Sequence, residues 1–299
     1  MIIEARGVSK RFGRFEAIEN LNLAVPEGAV FALIGANGAG KSTTIRMLMN
    51  ILRPDRGEIE VLGTPSQSLA AGDFECIGYV SESQKPPANL TLEQFFDYLR
   101  TLYPAWDRGL ERELRTQFEL PASRKVRHLS HGMRLKALLV GALAFRPKLL
   151  VLDEPLSGLD TLVRDEVVSG LLQQAADTTI LISSHELAEI ETFTTHVAFM
   201  QNGCLLLQES IDSLRLRFRE VRVTLSATRT PAQPLREDWL LPRIEGHHLR
   251  FIASRYEDDA QPYAEQARRF GAVRMETEPM PLRAIASALM QSRRREQQA

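Results

Sequence analysis

The sequence has few cysteines, almost no net charge and no long uninterrupted hydrophobic run. Its two cysteines, Cys76 and Cys204, are too few for a disulfide framework and lack metal-ligand spacing, which favours a reducing, cytoplasmic setting. The formal net charge of −1 gives no global attraction to nucleic acid or to an acidic membrane surface. We therefore expect no nucleic-acid partner.

Segments for export or membrane insertion are also missing from the sequence. The N-terminal residues MIIEARGVSKRFG contain no apolar signal core, so export is not expected. The longest apolar stretch, Leu135–Leu152, is interrupted by Arg146, Pro147 and Lys148 and is too short to span a bilayer. A role at a membrane would therefore have to come through a partner.

The length and composition predict two globular domains. Hydrophobic residues make up 44% and charged residues 25% of the 299 residues, which is enough apolar material for a sizeable core. The length exceeds that of one ordinary domain. A change of pattern near Leu214 predicts a large domain over residues 1–213 and a small α+β accessory domain over residues 214–299.

Apolar periodicity predicts repeated βα units in the large domain. The predicted strands are Ile2–Ala5, Leu21–Val25, Ala29–Ile34, Glu58–Leu62, Leu149–Leu152 and Thr179–Ser183. The predicted helical segments are Ser42–Leu52, Thr91–Leu120 and Gly132–Phe145. In the small domain, strands are predicted at Val221–Ser226 and His248–Ala253, and helices at Gln261–Phe270 and Pro281–Ser292.

A phosphate-binding loop follows the predicted strand Ala29–Ile34. The residues Gly35-Ala36-Asn37-Gly38-Ala39-Gly40-Lys41-Ser42, followed by Thr43, fit the pattern G-x-x-x-x-G-K-[ST] between a strand and a helix. Glycines let successive N–H groups point inward as an anion nest, which the helix N-terminus reinforces. Lys41 would contact the β- and γ-phosphates, and the Ser42 hydroxyl would bind Mg²⁺. The alternative is a plain glycine-rich turn, which the strand, the spacing and the Lys-Ser pair together disfavour.

Two carboxylates end the apolar strand LLVLDEP. Asp153 suits direct or indirect coordination of Mg²⁺, because a hard cation prefers carboxylate oxygen. Glu154 is placed to activate an attacking water as a general base. An ordinary acidic turn after a strand is the alternative, which the phosphate loop in the same chain disfavours.

The base of the nucleotide is expected to be adenine. The sequence contains no Asn-Lys-x-Asp segment for reading guanine. Adenine needs an aromatic face on which to stack, and Phe12 is the first candidate, with Phe15 less favoured. The alternative is that Phe12 is a core aromatic of a strand.

Three further motifs make a family resemblance specific. Leu129-Ser130-His131-Gly132-Met133 precedes the Asp153-Glu154 pair, and Ser157-Gly158-Leu159-Asp160 and Ile182-Ser183-Ser184-His185 follow it. With the phosphate loop, this order resembles the ATP-binding cassette (ABC) transporter ATPases over about residues 1–210. The resemblance implies an α/β fold: a P-loop NTPase RecA-like core, an N-terminal antiparallel β subdomain, an α-helical signature subdomain at about residues 85–146, and here a small C-terminal α+β domain.

The resemblance also implies roles, cofactors and partners. ATP and Mg²⁺ would be bound between two copies of the chain stacked head to tail, with Ser130 and Gly132 of one copy contacting the ATP of the other. His185 would contact the γ-phosphate and the attacking water. Asp160 would communicate across the dimer, although capping of the helix that starts near Thr161 is equally compatible with its position. A separate membrane-spanning permease would hold the subunit at the cytoplasmic face of the membrane.

Two departures from the family pattern affect the expected site. The signature LSGGQ is LSHGM here, with His131 interpreted as an exposed, tolerated substitution rather than a pH-sensitive contact. Glu82 stands where the family has the Q-loop glutamine and is expected in the ATP site, where its oxygen acceptor could reach Mg²⁺ or water, although it adds negative charge next to ATP.

Finer details narrow the resemblance to one branch. The segments Leu102–Asp107, Met133–Lys136 and Val163–Glu166 are similar to stand-alone cassettes of bacterial ABC-2-type exporters, notably the YtrB-like group. The loop from Glu82 to Leu92 would receive the permease, unless it is only a solvated proline-rich loop. Two alternatives stay open: a weakly hydrolysing regulatory ABC ATPase, and a soluble ABC ATPase acting on nucleic acid or ribosomes.

Overall fold

The computed structural model describes residues 1–174, 177–226, 238–256, 261–269 and 271–296. It divides into two compact units, Met1–Gln208 and Glu209–Ala299, which we describe separately. The sequence predicted a boundary at residues 213 and 214. The boundary lies earlier in the chain, because a short helix at Ile211–Arg217 buries Leu214 and packs within the second unit, against its last helix.

An antiparallel sheet opens the first unit. Its strands are β1 (Ile3–Phe12), β2 (Phe15–Val25), β4 (Arg56–Val61) and β5 (Thr64–Pro65), in the order β2-β1-β4-β5. β1 and β2 form a hairpin whose last pair is Phe12 with Phe15. Both strands extend well beyond the predicted segments, because register shifts along β1 interrupt the alternation by which strands are recognised in sequence.

A six-stranded sheet forms the centre of the first unit. Its strands are β3 (Val30–Ile34), β6 (Ile77–Ser81), β7 (Leu149–Asp153), β8 (Thr179–Ser184), β9 (His196–Gln201) and β10 (Cys204–Ser210), in the order β10-β9-β3-β8-β7-β6. β3 pairs in parallel with β8 and β9, and β7 with β6 and β8. All residues of β3 and β7 are buried, which explains their continuous apolar sequence. The carboxyl ends of β3, β7 and β8 therefore lie along one edge of the sheet.

Helices cover this sheet and build a separate helical part. The helices of the first unit are α1 (Lys41–Leu48), α2 (Ala71–Phe74), α3 (Leu92–Leu102), α4 (Arg108–Gln117), α5 (His131–Leu143) and α6 (Thr161–Gln174). The prediction that the first of them reaches Leu52 is wrong. Asn50 takes a left-handed φ of 54°, and the N–H groups of Ile51 and Leu52 both turn back to the carbonyl of Arg46.

The buried carboxylate of Glu111 accepts several hydrogen bonds within the helical part formed by α3, α4 and α5. Only 3% of the Glu111 side chain is exposed. It accepts hydrogen bonds from Arg100 at 2.6 and 2.8 Å, from Trp106 at 2.9 Å and from Arg115 at 2.9 Å. These bonds join the end of α3 to α4 across the turn that contains Pro104.

The second unit is a small α+β domain. Its strands are β11 (Arg219–Leu225), β12 (Trp239–Glu245), β13 (His248–Ala253) and β14 (Ala272–Pro279), in the order β12-β13-β11-β14. Its helices are α7 (Ile211–Arg217), α8 (Gln261–Arg269) and α9 (Leu282–Glu296), and Phe270 of the predicted helix lies outside the described residues. Prediction missed β12 and β14. Both are edge strands, and β12 contains Pro242 while β14 is mostly exposed and carries the charged residues Arg274, Glu276 and Glu278.

The predicted fold class is confirmed. A mostly parallel core sheet, an antiparallel sheet from the N-terminal part of the chain, a helical part and a small α+β unit are all present.

Candidate functional site

The phosphate loop joins the end of β3 to the start of α1 and has no room for side chains at two glycines. Gly40 has a left-handed φ of 107°, and a Cβ atom there would lie 2.5 Å from Cδ1 of Ile18. A Cβ atom at Gly35 would lie 2.5 Å from the carbonyl oxygen of Met200. Glycine is required at both positions for the loop to fold against these neighbours.

Lys41 is held inside this loop although it is charged. Only 4% of its side chain is exposed. Its Nζ donates to the carbonyl of Gly35 at 2.6 Å and lies 2.9 Å from Oε1 of Glu154. The ammonium group is therefore fixed at the N-terminal end of α1, where the helix dipole also favours an anion.

Two hydroxyl groups converge on Asp153 at the end of β7. Ser42 donates to Oδ1 of Asp153 at 2.9 Å, and Ser183, at the neighbouring position of β8, donates to the same oxygen at 2.8 Å. Within the described ranges, His, Cys, Asp and Glu side chains form no cluster of three or more that could hold a metal ion. The oxygen donors of Ser42 and Asp153 fit Mg²⁺, which keeps several waters and shares phosphate oxygens instead of using a protein cage.

Glu154 occupies a strained backbone position in the centre of the site. Its φ is 52°, in the left-handed region that non-glycine residues rarely adopt. Its N–H donates to Ser183 Oγ at 2.9 Å, and its Oε2 lies 2.8 Å from Nδ1 of His185. Its carboxylate therefore bridges Lys41 and His185.

Pairing shifts the protonation of both Glu154 and His185. Burial raises the pKa of Glu154, but the hydrogen bonds from His185 and Lys41 outweigh it and hold that pKa below its ordinary value. The hydrogen bond to Glu154 raises the pKa of His185 above its ordinary value, against a smaller opposing effect of burial. The pairing thus favours the carboxylate form of Glu154 and the imidazolium form of His185.

A cleft of about 420 Å³ opens over the phosphate loop. It is lined by Phe12, Phe15, Ala17, Asn37, Gly38, Ala39, Gly40, Lys41, Ser42, Thr43, Glu82 and Glu154. Phe12 is 49% and Phe15 63% exposed, so neither ring belongs to the core as the alternative interpretation of Phe12 required. The two rings are the aromatic part of a lining that is otherwise formed mainly by the phosphate loop, and Nζ of Lys10 lies 5.8 Å from the centroid of the Phe12 ring.

Glu82 lies at the edge of this cleft, directly after β6. Its N–H donates to the carbonyl of Asp153 at 3.1 Å, and its side chain is exposed. Gln84, two residues later, lines a different cavity, next to Pro86 and Tyr98. The acidic group, not the nearby glutamine, therefore faces the cleft.

Ser130, Gly132 and Asp160 are not among the described residues that line the cleft. Ser130 is exposed and caps α5, accepting a hydrogen bond from the N–H of Met133 at 3.2 Å. Asp160 is exposed and caps α6, accepting from the N–H of Val163 at 3.0 Å. The capping alternative for Asp160 is thus seen directly, and it leaves one carboxylate oxygen for other contacts.

The interpretation of His131 as a merely exposed substitution is wrong. The residue is half-buried, and its Nε2 lies 3.1 Å from the carbonyl oxygen of Ser157. Its ring reaches this loop because α5 begins beside the start of α6, as the close approach of Gly132 to Val163 shows. Nothing in the local sequence around His131 identifies this contact.

Sequence reasoning also missed Ser183 as part of the site. It binds both Asp153 Oδ1 and the N–H of Glu154. A sequence pattern could have identified it, because Ser183 lies near the end of the buried strand β8, which pairs with the strand β7 that ends in Asp153.

A parallel sheet with a phosphate loop at one strand end and two carboxylates at another, flanked by an antiparallel sheet and a helical part, defines a P-loop nucleotide-binding cassette. The sequence profile of the ABC transporter family matches residues 18–157. The chain belongs to the family of ABC transporter ATP-binding proteins, and it is an ATPase.

Relatives of known name support this assignment. The chain is 31% identical to the ABC transporter ATP-binding protein YtrB of Bacillus subtilis over 224 residues, covering 74% of this chain and 76% of that protein. It is 32% identical to the bacitracin transport ATP-binding protein BcrA of Enterococcus faecalis, covering 73% of this chain and 72% of that protein.

Solved structures show the same fold. An ATP-binding subunit of an ABC transporter aligns with a TM-score of 0.66 at 29% identity, over 72% of this chain and 92% of that one. The dimeric bacterial cassette MJ0796 aligns with a TM-score of 0.63 at 21% identity, over 70% of this chain and 98% of that one. Across the ranges that the structure describes, we find no helix that combines the length and the apolar character needed to cross a membrane.

Proposed function

We propose that this protein is the ATP-hydrolysing subunit that powers a bacterial exporter through ATP-dependent, head-to-tail association of two copies. One observation carries the proposal. The phosphate loop, Glu82 and Glu154 line the cleft. Ser130 and Gly132 do not line it and lie at the start of a different helix, α5. A second copy would supply those two residues and complete each site.

The residues of one copy would bind and orient ATP as follows. The backbone N–H groups of the phosphate loop and Lys41 hold the phosphates, and Phe12 provides a face for adenine. A γ-phosphate approaching Lys41 would take the place of its ion pair with Glu154 and leave that carboxylate facing the reaction centre. Glu154 would then accept a proton from the attacking water.

His185 and the residues around Asp153 would complete the half-site. His185 donates to Glu154 at 2.8 Å and would orient the water and the γ-phosphate together with it. Ser42 and Asp153 would hold Mg²⁺, which neutralises charge on the β- and γ-phosphate oxygens when it is bound. Ser183 keeps Asp153 in place through its 2.8 Å hydrogen bond.

The second copy would contribute the start of α5. Ser130 and the N-terminal N–H groups of this helix are donors that suit a phosphate anion. Asp160, exposed at the start of α6, would contact the other copy beside its phosphate loop. Binding of ATP would thus hold two copies together, and hydrolysis would release them.

The permease would dock near the loop from Glu82 to Leu92. Beside this loop lies a cavity of about 320 Å³ lined by Pro86, Pro87, Tyr98 and other residues of α3 and α5. Tyr98 is 52% exposed, which is a large apolar surface for a solvated helix. Relatives that bear names such as bacitracin transport ATP-binding protein and Nod factor export ATP-binding protein favour an exporter, at the cytoplasmic face of the membrane.

The substitutions Lys41→Ala and Glu154→Gln test the proposal. Purified full-length protein should release phosphate from Mg-ATP, and Lys41→Ala should abolish that release. Glu154→Gln should bind ATP without hydrolysing it and elute as a dimer in size exclusion with Mg-ATP but not with Mg-ADP. If Glu154→Gln stays monomeric at saturating Mg-ATP, the head-to-tail mechanism is wrong.

A second candidate is a regulatory subunit that scarcely hydrolyses ATP. Glu82 favours it, because this carboxylate lines the cleft and opposes the phosphates electrostatically. The two functions differ in one measurement. Steady phosphate release that disappears in Lys41→Ala excludes the regulatory function.

A further inference from the structure

We propose that His131 is a positioning residue that ties the signature segment at the start of α5 to the loop that carries Glu154. The inference rests on the proposed function, because it assumes that ATP is bound at Ser130 and Gly132 by a second copy. The observation that supports the inference directly is the 3.1 Å contact between Nε2 of His131 and the carbonyl oxygen of Ser157. A carbonyl can only accept, so Nε2 carries the proton and donates it.

The Ser157 end of this contact belongs to the backbone that fixes Glu154. The N–H of Ser157 donates to the carbonyl of Glu154 at 3.3 Å, and the N–H of Glu154 donates to Ser183 Oγ at 2.9 Å. Glu154 needs such support, because its left-handed φ of 52° costs free energy that the surroundings must offset. His131 holds this loop from the side of the helical part, and Ser183 holds it from the side of the sheet.

The His131 end of the contact belongs to a segment that is firmly packed. Gly132 lies so close to Val163 that an added Cβ would stand 2.7 Å from its Cγ1 atom. One turn later, Lys136 forms an ion pair with Glu166. These contacts join the start of α5 to α6 in one packed block, and the His131 side chain would transmit a movement of this block to Ser157.

This arrangement would couple two sites through one copy of the chain. ATP bound to the second copy would attract Ser130 and displace the N-terminus of α5. The hydrogen bond of His131 would transmit this displacement to Ser157 and from there to Glu154. Closure of the dimer over one ATP would thereby hold Glu154, the general base for the other ATP, in a fixed position. A glycine at position 131, as in the family signature, has no side chain with which to make this contact.

Three substitutions separate the hydrogen bond from the volume of the ring. His131→Gln keeps an N–H donor in the place of Nε2, His131→Phe keeps a ring without a donor, and His131→Ala removes both. Loss of one hydrogen bond to a carbonyl should lower kcat for ATP about three- to tenfold in the Ala and Phe variants. We expect KM for ATP to stay within about twofold and the Gln variant to retain most of kcat, because the nucleotide contacts are untouched.

A second measurement places each variant in the Glu154→Gln background and follows ATP-dependent dimer formation by size exclusion. We expect His131→Ala to dimerise there as well as its parent, because Ser130 and Gly132 are unchanged. Failure of the Glu154→Gln parent itself to dimerise would contradict the proposed function, and this is distinct from any result within the His131 series.

Two outcomes overturn the inference. They are an unchanged kcat in His131→Ala, whether or not KM rises, and a kcat in His131→Phe equal to that of His131→Gln. Should His131→Ala fail to fold, as judged by circular dichroism, the comparison of the Gln and Phe variants decides the question.

Discussion

Nδ1 of His185 lies 2.8 Å from Oε2 of Glu154, across the edge of the parallel sheet. This hydrogen bond is the main reason why the pKa of His185 is raised above its ordinary value of 6.5. The same bond, with the one from Lys41, outweighs burial and lowers the pKa of Glu154 below its ordinary value of 4.5. The hydrogen bond therefore favours the charged forms of both residues, in the arrangement that precedes any competition by a γ-phosphate.

The first prediction concerns the titration of His185. Glu154→Gln removes the carboxylate that accepts from Nδ1, so the pKa of His185 should fall toward 6.5. Nuclear magnetic resonance of the imidazole nitrogens would measure this change. Glu186→Gln is the matched control, because Glu186 lies 3.9 Å from Nε2 and raises the pKa of His185 far less directly. An equal fall in both variants would show that general charge, and not the hydrogen bond, raises this pKa.

The second prediction concerns stability and pH. The raised pKa of His185 contributes stability that is full below 6.5 and is lost as pH rises through the folded value. The lowered pKa of Glu154 contributes stability that is full above 4.5 and is lost as pH falls through the folded value. The pair of His185 and Glu154 therefore contributes most to the free energy of unfolding between pH 4.5 and 6.5.

His185→Ala tests that window. The free energy of unfolding that this variant loses relative to the wild type should be larger near pH 6 than near pH 9, because the contribution of His185 is lost as pH rises through its raised folded-state pKa. Chemical denaturation at the two pH values would measure it. The difference should be small, because 31% of the His185 side chain is exposed and solvent screens the pair. A larger loss near pH 9 would contradict the direction of the pKa shift.

The third prediction separates the two aromatic residues of the β1–β2 hairpin. Phe12 and Phe15 are the last cross-strand pair of the hairpin, and both line the cleft. Phe12 is the less exposed of the two, at 49% against 63%, and is expected to stack on the base. Phe12→Ala should weaken ATP binding by about 1 kcal/mol or more, which is about fivefold in Kd. Fluorescent ATP-analogue binding would measure this, with Phe15→Ala as the control expected to bind nearly as tightly as the wild type.

The parts of the site that could be predicted from sequence are those whose chemistry lies in contiguous residues. The phosphate loop needs Gly40, Lys41 and Ser42 in a row, and a carboxylate pair after a buried strand is visible in the letters of the sequence. The contact of His131 with Ser157 could not be predicted in this way, because it spans 26 positions and depends on how α5 packs beside α6.

The fold shows the same division between local and packing information. The buried strands β3 and β7 are continuous apolar runs and were recognised, whereas the buried strands β6 and β9, whose apolar residues are interrupted by Gly78 and bounded by His196 and Gln201, were not predicted. The edge strands β12 and β14 bury little and carry a proline and many charges, so their sequences resemble loops. Their pairing is set by β13 and β11, which are distant in sequence.

The fourth prediction concerns the buried carboxylate of the helical part. Glu111→Gln removes the charge that Arg100 and Arg115 share, leaving partly buried cations without their main partner. The free energy of unfolding should fall by about 3 kcal/mol near neutral pH. Urea denaturation followed by circular dichroism would measure this. Glu113→Gln, on the exposed face of the same helix, should change stability by less than about 0.5 kcal/mol.

The difference in free energy of unfolding between Glu111→Gln and the wild type should become smaller at acidic pH. Burial raises the pKa of Glu111, but hydrogen bonds from Arg100 and Trp106 outweigh it and lower the pKa below 4.5. The contribution of Glu111 is therefore full above that value and is lost as pH falls through the folded value. A difference that stays constant into strong acid would mean that the charge of Glu111 does not stabilise the helical part.

The fifth prediction asks why position 132 is a glycine. An added Cβ would point at Val163, 2.7 Å from its Cγ1 atom, and so into the same copy of the chain. Gly132→Ala should therefore lower the free energy of unfolding by about 1–3 kcal/mol through overpacking. Removing the γ-methyl groups with Val163→Ala should recover most of that loss in the double variant, and Val163→Ala alone serves as the control.

The double variant also separates packing from phosphate binding. Because the new methyl group would face Val163 and leave the N-terminal N–H groups of α5 free, Gly132→Ala/Val163→Ala should regain ATP-dependent dimerisation in the Glu154→Gln background. Size exclusion with Mg-ATP, beside thermal denaturation of each variant, would measure both properties on the same samples. A double variant that is as stable as the wild type and still does not dimerise would mean that the glycine is needed at the phosphate itself. In that case the close approach to Val163 would be a consequence of how α5 is placed and not the reason for the glycine.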